Sequence, residues 1–165
     1  MHRIEIIQEI LNTKKRPTTY LEIGVATGKT FFIINGSKKI GVDPKNSKYK
    51  MLTFLIRYSY SFSRKFKQLS ENIKSVLHGY YKMTSDDFFK TKPGILKNGI
   101  DVVLIDGLHT YEQSLKDVLN SLKFLKDAGV IVIHDCNPKS DTMAYPANSF
   151  EHAKSLDLPG WTGEW

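Results

Sequence analysis

The sequence predicts a single α/β domain in which helices cover both faces of a mostly parallel sheet. Runs such as "GIDVVLIDG" and "VIVIHDCNP" are apolar throughout, which is typical of parallel strands buried on both faces. Segments with helical spacing separate these runs, and that alternation indicates a three-layer α/β sandwich. A chain of 165 residues with 41% hydrophobic residues is long enough for one core and short for two domains.

The first elements are predicted in the order helix, strand, helix, strand. Ile4, Ile7 and Leu11 recur at helical spacing, and Pro17 follows a short cationic stretch. "TTYLEIG" and "KKIGVDP" have strand composition, and "GKTFFIING" opens a helix between them. These runs supply the first two strands of the sheet.

Residues 46–76 are predicted as an inserted helical cap. "SRKFKQLSENIKSVL" has helical spacing, whereas "MLTFLIRYSYSF" fits a strand as well as a helix. The aromatic residues of this segment either cover an acceptor as a lid or pack in the usual way: Tyr58, Tyr60, Phe62 and Phe66.

The third strand is predicted to end near Thr84, with Ser85 as the N-cap of a short helix. The strand "GIDVVLIDG" and an amphipathic helix from Thr110 to the residue before Gly129 follow. That helix is predicted to bury one apolar face, and "VIVIHDCNP" then forms the fifth strand. The residues of the buried face are Leu115, Val118, Leu122 and Leu125.

The amino-acid composition indicates which classes of binding partner and which cellular location to expect. The net charge of +7 invites a nucleic-acid partner, but only four basic residues are arginine and the lysines are spread through every segment. A solvated lysine-rich surface is therefore favoured, and nucleic acid is not expected as a partner. No apolar run approaches the roughly 18 residues of a membrane span. Glu5 and Glu9 interrupt the first apolar pattern, so we expect no signal peptide and a cytoplasmic protein.

The single cysteine, Cys136, excludes an internal disulfide and is interpreted as a buried structural thiol. The amino-acid composition does not decide whether the protein forms a homo-oligomer.

Polar residues follow every predicted strand. Because ligands bind beyond the carboxyl ends of strands in open parallel sheets, we expect these residues to surround one ligand. In chain order they are Glu22, Gly24, Asp43, Ser85, Asp86, Asp106, His109, His134 and Asp135.

The glycine turn "GVATG", from Gly24 to Gly28, fits a pyrophosphate-binding fingerprint poorly. A carboxylate just before the turn, Glu22, suits a ligand that carries an ammonium and a sulfonium group. Asp43 lies 19 residues after Gly24, at the next strand end, where a carboxylate can accept both hydroxyls of a ribose. The pattern therefore predicts a nucleoside with a cationic amino-acid arm.

Five motifs together resemble class I S-adenosylmethionine-dependent methyltransferases, in particular a small-molecule branch with a D-G-x-H-x-Y-E fourth motif. They are "LEIGVATGKT", "IGVDP", "MTSDDFF", "DVVLIDGLHTYEQSLKDV" and "GVIVIHDCNP", and they cover about residues 20–138. The resemblance implies a Rossmann-like fold and methyl transfer to an oxygen or nitrogen of a small acceptor, with a sugar as one candidate.

The resemblance also implies residue roles. Glu22 and the turn of Gly24, Ala26 and Gly28 would hold the methionine part, and Asp43 the ribose. The adenine edge would meet Ser85 and Asp86, and Asp106 would lie beside the transferred methyl group. A Mg²⁺ ion would be held by Asp106, His134 and Asp135, although the family's usual third ligand is an acid or asparagine and Cys136 is the alternative to His134 at that position. As an alternative, Asp86 only stabilises a helix dipole. His109 acts as a base, or it only orients Asp106 or caps the helix that begins near Tyr111.

Two departures from the family pattern bear on activity. Ala26 stands where the family usually has the middle glycine of the turn. The family fold is completed by two strands after the fifth, and no strand pattern follows Pro138, so residues 1–165 are expected to form one domain that is incomplete at its carboxyl end. Two alternatives stay open: a nicotinamide-dependent oxidoreductase, suggested by the glycine turn and Asp43, and a non-catalytic cofactor-binding remnant, suggested by the missing strands and the basic aromatic segment 45–67.

Overall fold

The structure is a computed structural model that describes residues 2–61, 66–147 and 149–158. Five strands form one sheet in the order β3-β2-β1-β4-β5, and every neighbouring pair is parallel. The predicted α/β fold with a parallel sheet is confirmed. The strands are β1 (Thr19–Ile23), β2 (Lys38–Val42), β3 (Tyr80–Tyr81), β4 (Ile100–Ile105) and β5 (Leu125–Ile133).

Helices cover both faces of this sheet. Successive residues of a strand point to opposite sides, so each strand contributes buried side chains to both helix layers. Tyr20 and Leu104 pack with α1 to α4 on one face, whereas Leu21 and Val103 pack with α5 and α6 on the other. The helices are α1 (Arg3–Asn12), α2 (Lys29–Ile33), α3 (Lys48–Ser61), α4 (Phe66–Gly79), α5 (Ser85–Thr91), α6 (Tyr111–Leu122) and α7 (Phe150–Ser155), with a 3₁₀ helix at Pro93–Leu96.

The segment 46–76 contains α3 and most of α4, so the half whose structure the sequence left open is helical. Met51, Leu55 and Val76 are buried in the core on the face that α1 covers. Both helices thus contribute to one layer of the sandwich. Phe62 lies outside the described residues, as do the side chains of Tyr58, Tyr60 and Phe66, so the lid stays a prediction.

The predicted boundary between the last helix and strand is wrong. Helix α6 ends at Leu122, and β5 already begins at Leu125, four residues before Gly129. Ile100 pairs with Leu125 and Val102 with Val130, so residues 126–129 form a bulge in β5. The bulge brings the Lys126 ammonium within 2.8 Å of the buried Asp101 carboxylate, a tertiary contact that local spacing does not reveal.

The predicted buried face of α6 is only partly right, because Val118 and Leu125 pack against the core as predicted but the two other leucines do not. The buried residues of this helix are Ser114, Asp117 and Ser121, whereas Leu115 and Leu122 are 41% and 51% exposed. The polar side is drawn inward because Asp117 joins a hydrogen-bonded cluster with α5, described below. Among the described residues, no helix is long and apolar enough to cross a membrane.

Candidate functional site

A cavity of about 400 Å³ lies at the carboxyl ends of β1, β2 and β4. This is the edge of the sheet at which the sequence places its polar residues, and the volume is within the range of small-molecule sites. The predicted residues that line it are Gly24, Ala26, Asp43, Ser85, Asp86 and Asp106; other lining residues include Pro44, Lys45, Thr84, Leu108, Gln113 and Asp117.

The glycine turn after β1 is shaped by a close approach to the end of β4. A Cβ atom added to Gly24 would lie 1.9 Å from the Asp106 carbonyl oxygen, and Gly24 has a φ of 85°. Gly28, with a φ of 81°, starts α2. Between them Ala26 has a φ of 48°, in the left-handed region that an alanine adopts only at an energetic cost. The alanine that departs from the family pattern is therefore the strained position of the turn.

Asp43, at the end of β2, is 4% exposed and connects two turns. One carboxylate oxygen accepts a hydrogen bond from the Ala26 N–H and the other from the Lys45 N–H, both at 2.7 Å. The side chain thus holds the glycine turn against the loop that follows β2. Each oxygen keeps a further lone pair, so Asp43 can also accept a ligand hydroxyl.

Glu22 lies beneath the turn rather than in the cavity wall. It is 2% exposed and accepts a hydrogen bond from the Tyr20 hydroxyl at 2.7 Å. Burial raises the pKa of Glu22 to about 8, although the Tyr20 hydrogen bond opposes this shift. Its predicted role beside the methionine part stays a prediction, and its direct contacts are with the core on the α1 side.

Asp106 lines the cavity and is the centre of a charged cluster, whose other members are not among the residues that line it. One oxygen lies 3.1 Å from His134 Nδ1 and 3.5 Å from His109 Nε2, and the other lies 3.3 Å from Arg3 Nη1. Asp135 approaches both imidazoles, at 3.0 Å from His134 Nδ1 and 3.9 Å from His109 Nδ1. The structure therefore brings together all four residues that the sequence assigned to catalysis or metal binding.

Asp135 and His134 have unusual local geometry in this cluster. Asp135 has a φ of 53°, and strained backbone of this kind concentrates at functional sites. His134 Nδ1 is buried and makes no hydrogen bond of acceptable geometry despite the two nearby carboxylates. One ligand atom from each of Asp106, His134 and Asp135 lies within 4.8 Å of the others, close enough for a shared cation.

A second polar cluster lines the cavity between α5 and α6. Gln113 Nε2 donates to the Ser85 hydroxyl at 3.2 Å and to an Asp117 oxygen at 3.1 Å. Asp86 lies at the rim, where Lys116 forms an ion pair with it. The N-cap of α5 is Thr84, whose hydroxyl accepts from the Asp87 N–H at 3.1 Å, so the prediction of Ser85 as the cap is wrong. Ser85 is instead the first helical residue and is turned towards α6.

Sequence reasoning missed three residues of the site: Arg3, Gln113 and Asp117. Arg3 reaches Asp106 only because α1 packs across β4, and no local sequence pattern predicts that contact. Gln113 and Asp117 carried a usable signal, because their i, i+4 spacing places two polar residues on one face of α6. The polar face was not predicted to be buried, because the leucines on the opposite face were expected to point inward. Cys136 is exposed, so its interpretation as a buried thiol is wrong; it follows the sheet edge rather than lying in it.

Comparison with known proteins gives a family and a few distant relatives. Residues 21–136 match the profile of a family described as a methyltransferase domain. A protein of Acanthamoeba polyphaga mimivirus, named Uncharacterized protein R132, is 28% identical over 142 residues. That alignment covers 79% of this chain and 57% of the relative, so the chain spans little more than half of that protein's length.

Two solved structures have a similar arrangement of chain at 13% identity. One is a precorrin 8w decarboxylase of Methanobacterium thermoautotrophicum, with a TM-score of 0.46 over 81% of this chain and 61% of that one. The other is the rRNA methyltransferase aviRa of Streptomyces viridochromogenes, with a TM-score of 0.46 over 80% of this chain and 73% of that one. At these scores we draw no functional argument from either.

Proposed function

Since this chain belongs to the methyltransferase domain family, we propose that it binds S-adenosylmethionine in the cavity and transfers the methyl group to an oxygen or nitrogen of a small acceptor. The observation that carries the proposal is the cavity of about 400 Å³ bounded by the glycine turn, Asp43 and Asp106. A sugar is the first class of acceptor to test. Membership of the family favours this activity over nicotinamide-dependent oxidation.

The cavity offers a suitable contact for each part of the cofactor. The backbone of the Gly24–Gly28 turn and the Asp106 carboxylate would surround the cationic amino-acid arm. Asp43 would accept the ribose hydroxyls, and the polar end at Ser85 and Gln113 would receive the base.

The main contribution of the protein to catalysis would be to hold the acceptor and the cofactor in a reactive geometry. When bound, the cofactor supplies an electrophilic methyl group whose bond to sulfur breaks as the acceptor attacks, and sulfur keeps the electron pair. In this proposal His109 would take the proton that the acceptor loses; its ring lies 3.5 Å from Asp106, which lines the cavity. Asp135 and Asp106 flank that ring and would stabilise it once protonated.

A divalent cation fits the donor set of Asp106, His134 and Asp135, with the unpaired His134 Nδ1 as the observation in its favour. Two carboxylates suit Mg²⁺, whereas the imidazole also suits Mn²⁺ or another transition metal. The ion would orient an acceptor hydroxyl and lower the pKa of that hydroxyl. Calorimetric titration with Mg²⁺ and Mn²⁺ should show binding that His134→Ala and Asp135→Ala both abolish; no binding of either ion to the wild type would exclude the metal.

The experiment that tests the function is isothermal titration of the protein with S-adenosylmethionine and S-adenosylhomocysteine, with NAD⁺ as the comparison ligand. We expect S-adenosylmethionine and S-adenosylhomocysteine each to bind at one site per protein molecule. NAD⁺ should give no heat of binding. Binding of NAD⁺ alone would replace the proposal by an oxidoreductase. Binding of the nucleosides without turnover of any acceptor would support the non-catalytic alternative.

A further inference from the structure

A row of cations lies along the amino-terminal edge of the sheet, at the opposite end of the strands from the cavity. Lys38 is the first residue of β2, Arg16 precedes β1, Lys97 precedes β4, and Lys126 is the second residue of β5. Because β2, β1, β4 and β5 are neighbours in that order, these four positions follow one another across the sheet. We call them the amino-edge row. Neighbouring strands are about 4.8 Å apart, so the row extends over about 14 Å.

Side-chain contacts show that the members of the row lie close together. Arg16 Nη1 is 2.7 Å from one oxygen of the buried Asp101, and Lys126 Nζ is 2.8 Å from the other oxygen. Burial lowers the pKa of Lys38, and the positive charges of Lys97 and Lys126 lower it further. The row is therefore one cluster of charge rather than four isolated side chains.

The positive charge of the row is only partly neutralised by the protein. Asp101 has no exposed surface, so its charge is used on the inner side of the row. Lys38 and Lys97 are exposed, as is 46% of the Arg16 side chain, and Arg16 and Lys126 also line a shallow depression with Asp127. Like charges held this close repel one another, and an anion from outside the protein would relieve that repulsion.

The fold gathers cations that the sequence disperses. The four positions lie in four different segments, before or at the start of four different strands, and no local window of the sequence contains two of them. The expectation that nucleic acid is not a partner was based on this dispersal along the chain. It does not take account of the clustering that the sheet produces at one edge.

The residues of the row and its surroundings fit a phosphate backbone. Three of the four cations are lysines, which offer point charges rather than the planar fork with which arginine reads bases. Among the described residues, none of the large apolar side chains that are exposed lies within 13–18, 36–39, 95–99 or 125–129. The surface therefore offers no aromatic platform for stacked bases and no apolar group to insert among lipid headgroups.

We propose that the amino-edge row is a docking surface for nucleic acid, which it binds through phosphates without recognising bases. With a rise of about 3.4 Å per nucleotide, a strand that follows the row for about 14 Å would place about four phosphates against four cations. The surface and the cavity lie at opposite ends of the strands, so the bound nucleic acid need not be the methyl acceptor. The inference is therefore independent of the proposed function.

The test measures the binding of a fluorescein-labelled oligouridylate of about 12 nucleotides by fluorescence anisotropy, between about 50 mM and about 200 mM salt. The double variant Lys38→Gln/Lys97→Gln removes two charges of the row and leaves the ion pairs of Asp101 in place. Lys50→Gln/Lys139→Gln is the matched control, because it removes the same charge from two exposed lysines that follow the carboxyl ends of β2 and β5. Circular dichroism and thermal melting check that each variant is folded.

We expect the double variant of the row to bind about 10-fold more weakly than the wild type, or weaker still, at about 50 mM salt. The control should stay within about twofold of the wild type, because its charges lie away from the row. Equal weakening in both variants would overturn the inference, since net charge alone would then explain the binding. Absence of wild-type binding at the lowest salt concentration would also overturn it.

The salt dependence of the wild type tests the inference even if the double variant does not fold. Four phosphate contacts predict that the logarithm of the association constant falls with the logarithm of the salt concentration with a slope of about −2.8. A slope near zero would overturn the inference, because the phosphates would then not be the groups that bind.

A vesicle assay distinguishes nucleic acid from an anionic membrane, which carries phosphates as well. The protein is sedimented with phosphatidylcholine vesicles that contain phosphatidylserine at about 30%, at about 150 mM salt. We expect the wild type to remain in the supernatant, because no exposed apolar group accompanies the row. Sedimentation of the wild type, together with no binding of the oligouridylate, would overturn the inference and assign the row to a membrane surface.

Discussion

The carboxylate of Asp43 already accepts one backbone hydrogen bond on each oxygen, from the Ala26 and Lys45 N–H groups. A residue in this position shapes the glycine turn and presents a charge to the cavity at the same time. Asn46 contributes to the same turn without a charge, since its side-chain amide donates to the Ala26 carbonyl. These two residues allow the structural and ligand-binding roles to be separated.

Asp43→Ala should weaken the binding of S-adenosylhomocysteine by about 1–3 kcal/mol, because ribose hydroxyls would lose a charged acceptor. Calorimetry gives the affinity, and denaturant unfolding of the free protein gives the cost to the turn. Asn46→Ala is the control, and we expect it to lower stability with a smaller effect on binding. Equal losses of affinity in the two variants would assign Asp43 to the turn alone.

Ala26→Gly should raise the free energy of unfolding by about 0.5–1 kcal/mol. Glycine avoids the steric cost of a φ of 48°, and this gain exceeds the extra entropy of the unfolded chain. Urea denaturation measures the change. Ala153→Gly in α7 should have the opposite sign, because a helical position gains nothing from the substitution. A destabilised Ala26→Gly would show that the turn is not strained there.

His109→Gln should lower turnover about 10²-fold or more and change S-adenosylmethionine affinity by less than about 1 kcal/mol. The imidazole is placed to remove a proton, whereas the cofactor depends on the turn and Asp43. Steady-state rates with an accepted substrate and calorimetry with the cofactor separate the two effects. Wild-type turnover in the variant would leave His109 as a residue that only orients Asp106.

At the scale of elements, the amino-terminal edge of the sheet is held by one buried acid. Asp101, at the start of β4, is inaccessible and accepts hydrogen bonds from the Thr19 N–H and from Lys126 of β5. Its other oxygen forms an ion pair with Arg16, which precedes β1. Burial alone would raise the pKa of Asp101, but these partners hold it below its ordinary value of 3.8. The contact spans three segments that are far apart in sequence and fixes the bulge in β5.

Asp101→Asn should lower the free energy of unfolding at pH 7 by roughly 1–3 kcal/mol, since two cations lose their anion while the Thr19 N–H keeps an acceptor. Because the folded pKa is depressed, the ionised group stabilises the fold above pH 3.8, and this contribution disappears as the pH falls through the lower folded value. Unfolding curves from pH 7 down to pH 3 should therefore converge for wild type and variant. Parallel curves would contradict the assignment.

Elements that are apolar throughout could be predicted from the sequence, because β1, β2 and β4 are buried on both faces. Their carboxyl ends then placed Asp43 and Asp106 at one edge without further information. The start of β5 could not be predicted, since the Lys126–Asp101 contact that organises the bulge is long-range. The inward face of α6 was predicted wrongly in part, because its leucines suggest an apolar buried side. The three residues that the fold buries on this helix are polar: Ser114, Asp117 and Ser121.

At the scale of the whole molecule, two cavities of similar size lie at opposite ends of the sheet. The second, of about 420 Å³, is lined by Lys39 and Asn72 at the amino ends of β1 and β2. The Lys39 ammonium there donates to the carbonyls of Phe31 and Ile34 and to the Asn72 side chain, and burial lowers its pKa to about 8. Its three donors are therefore satisfied by the protein, as expected for a structural lysine.

The central claim is that the cofactor occupies the cavity at the carboxyl ends. Titration of ¹⁵N-labelled protein with S-adenosylhomocysteine, followed by amide chemical shifts, tests it most directly, because each end has its own reporter amides. We predict large shifts at Gly24, Ala26, Asp43 and Gly107, with little change at Gly36, Lys39 and Asn72. Shifts confined to the Lys39 end, or none at either end at saturating ligand, would contradict the account.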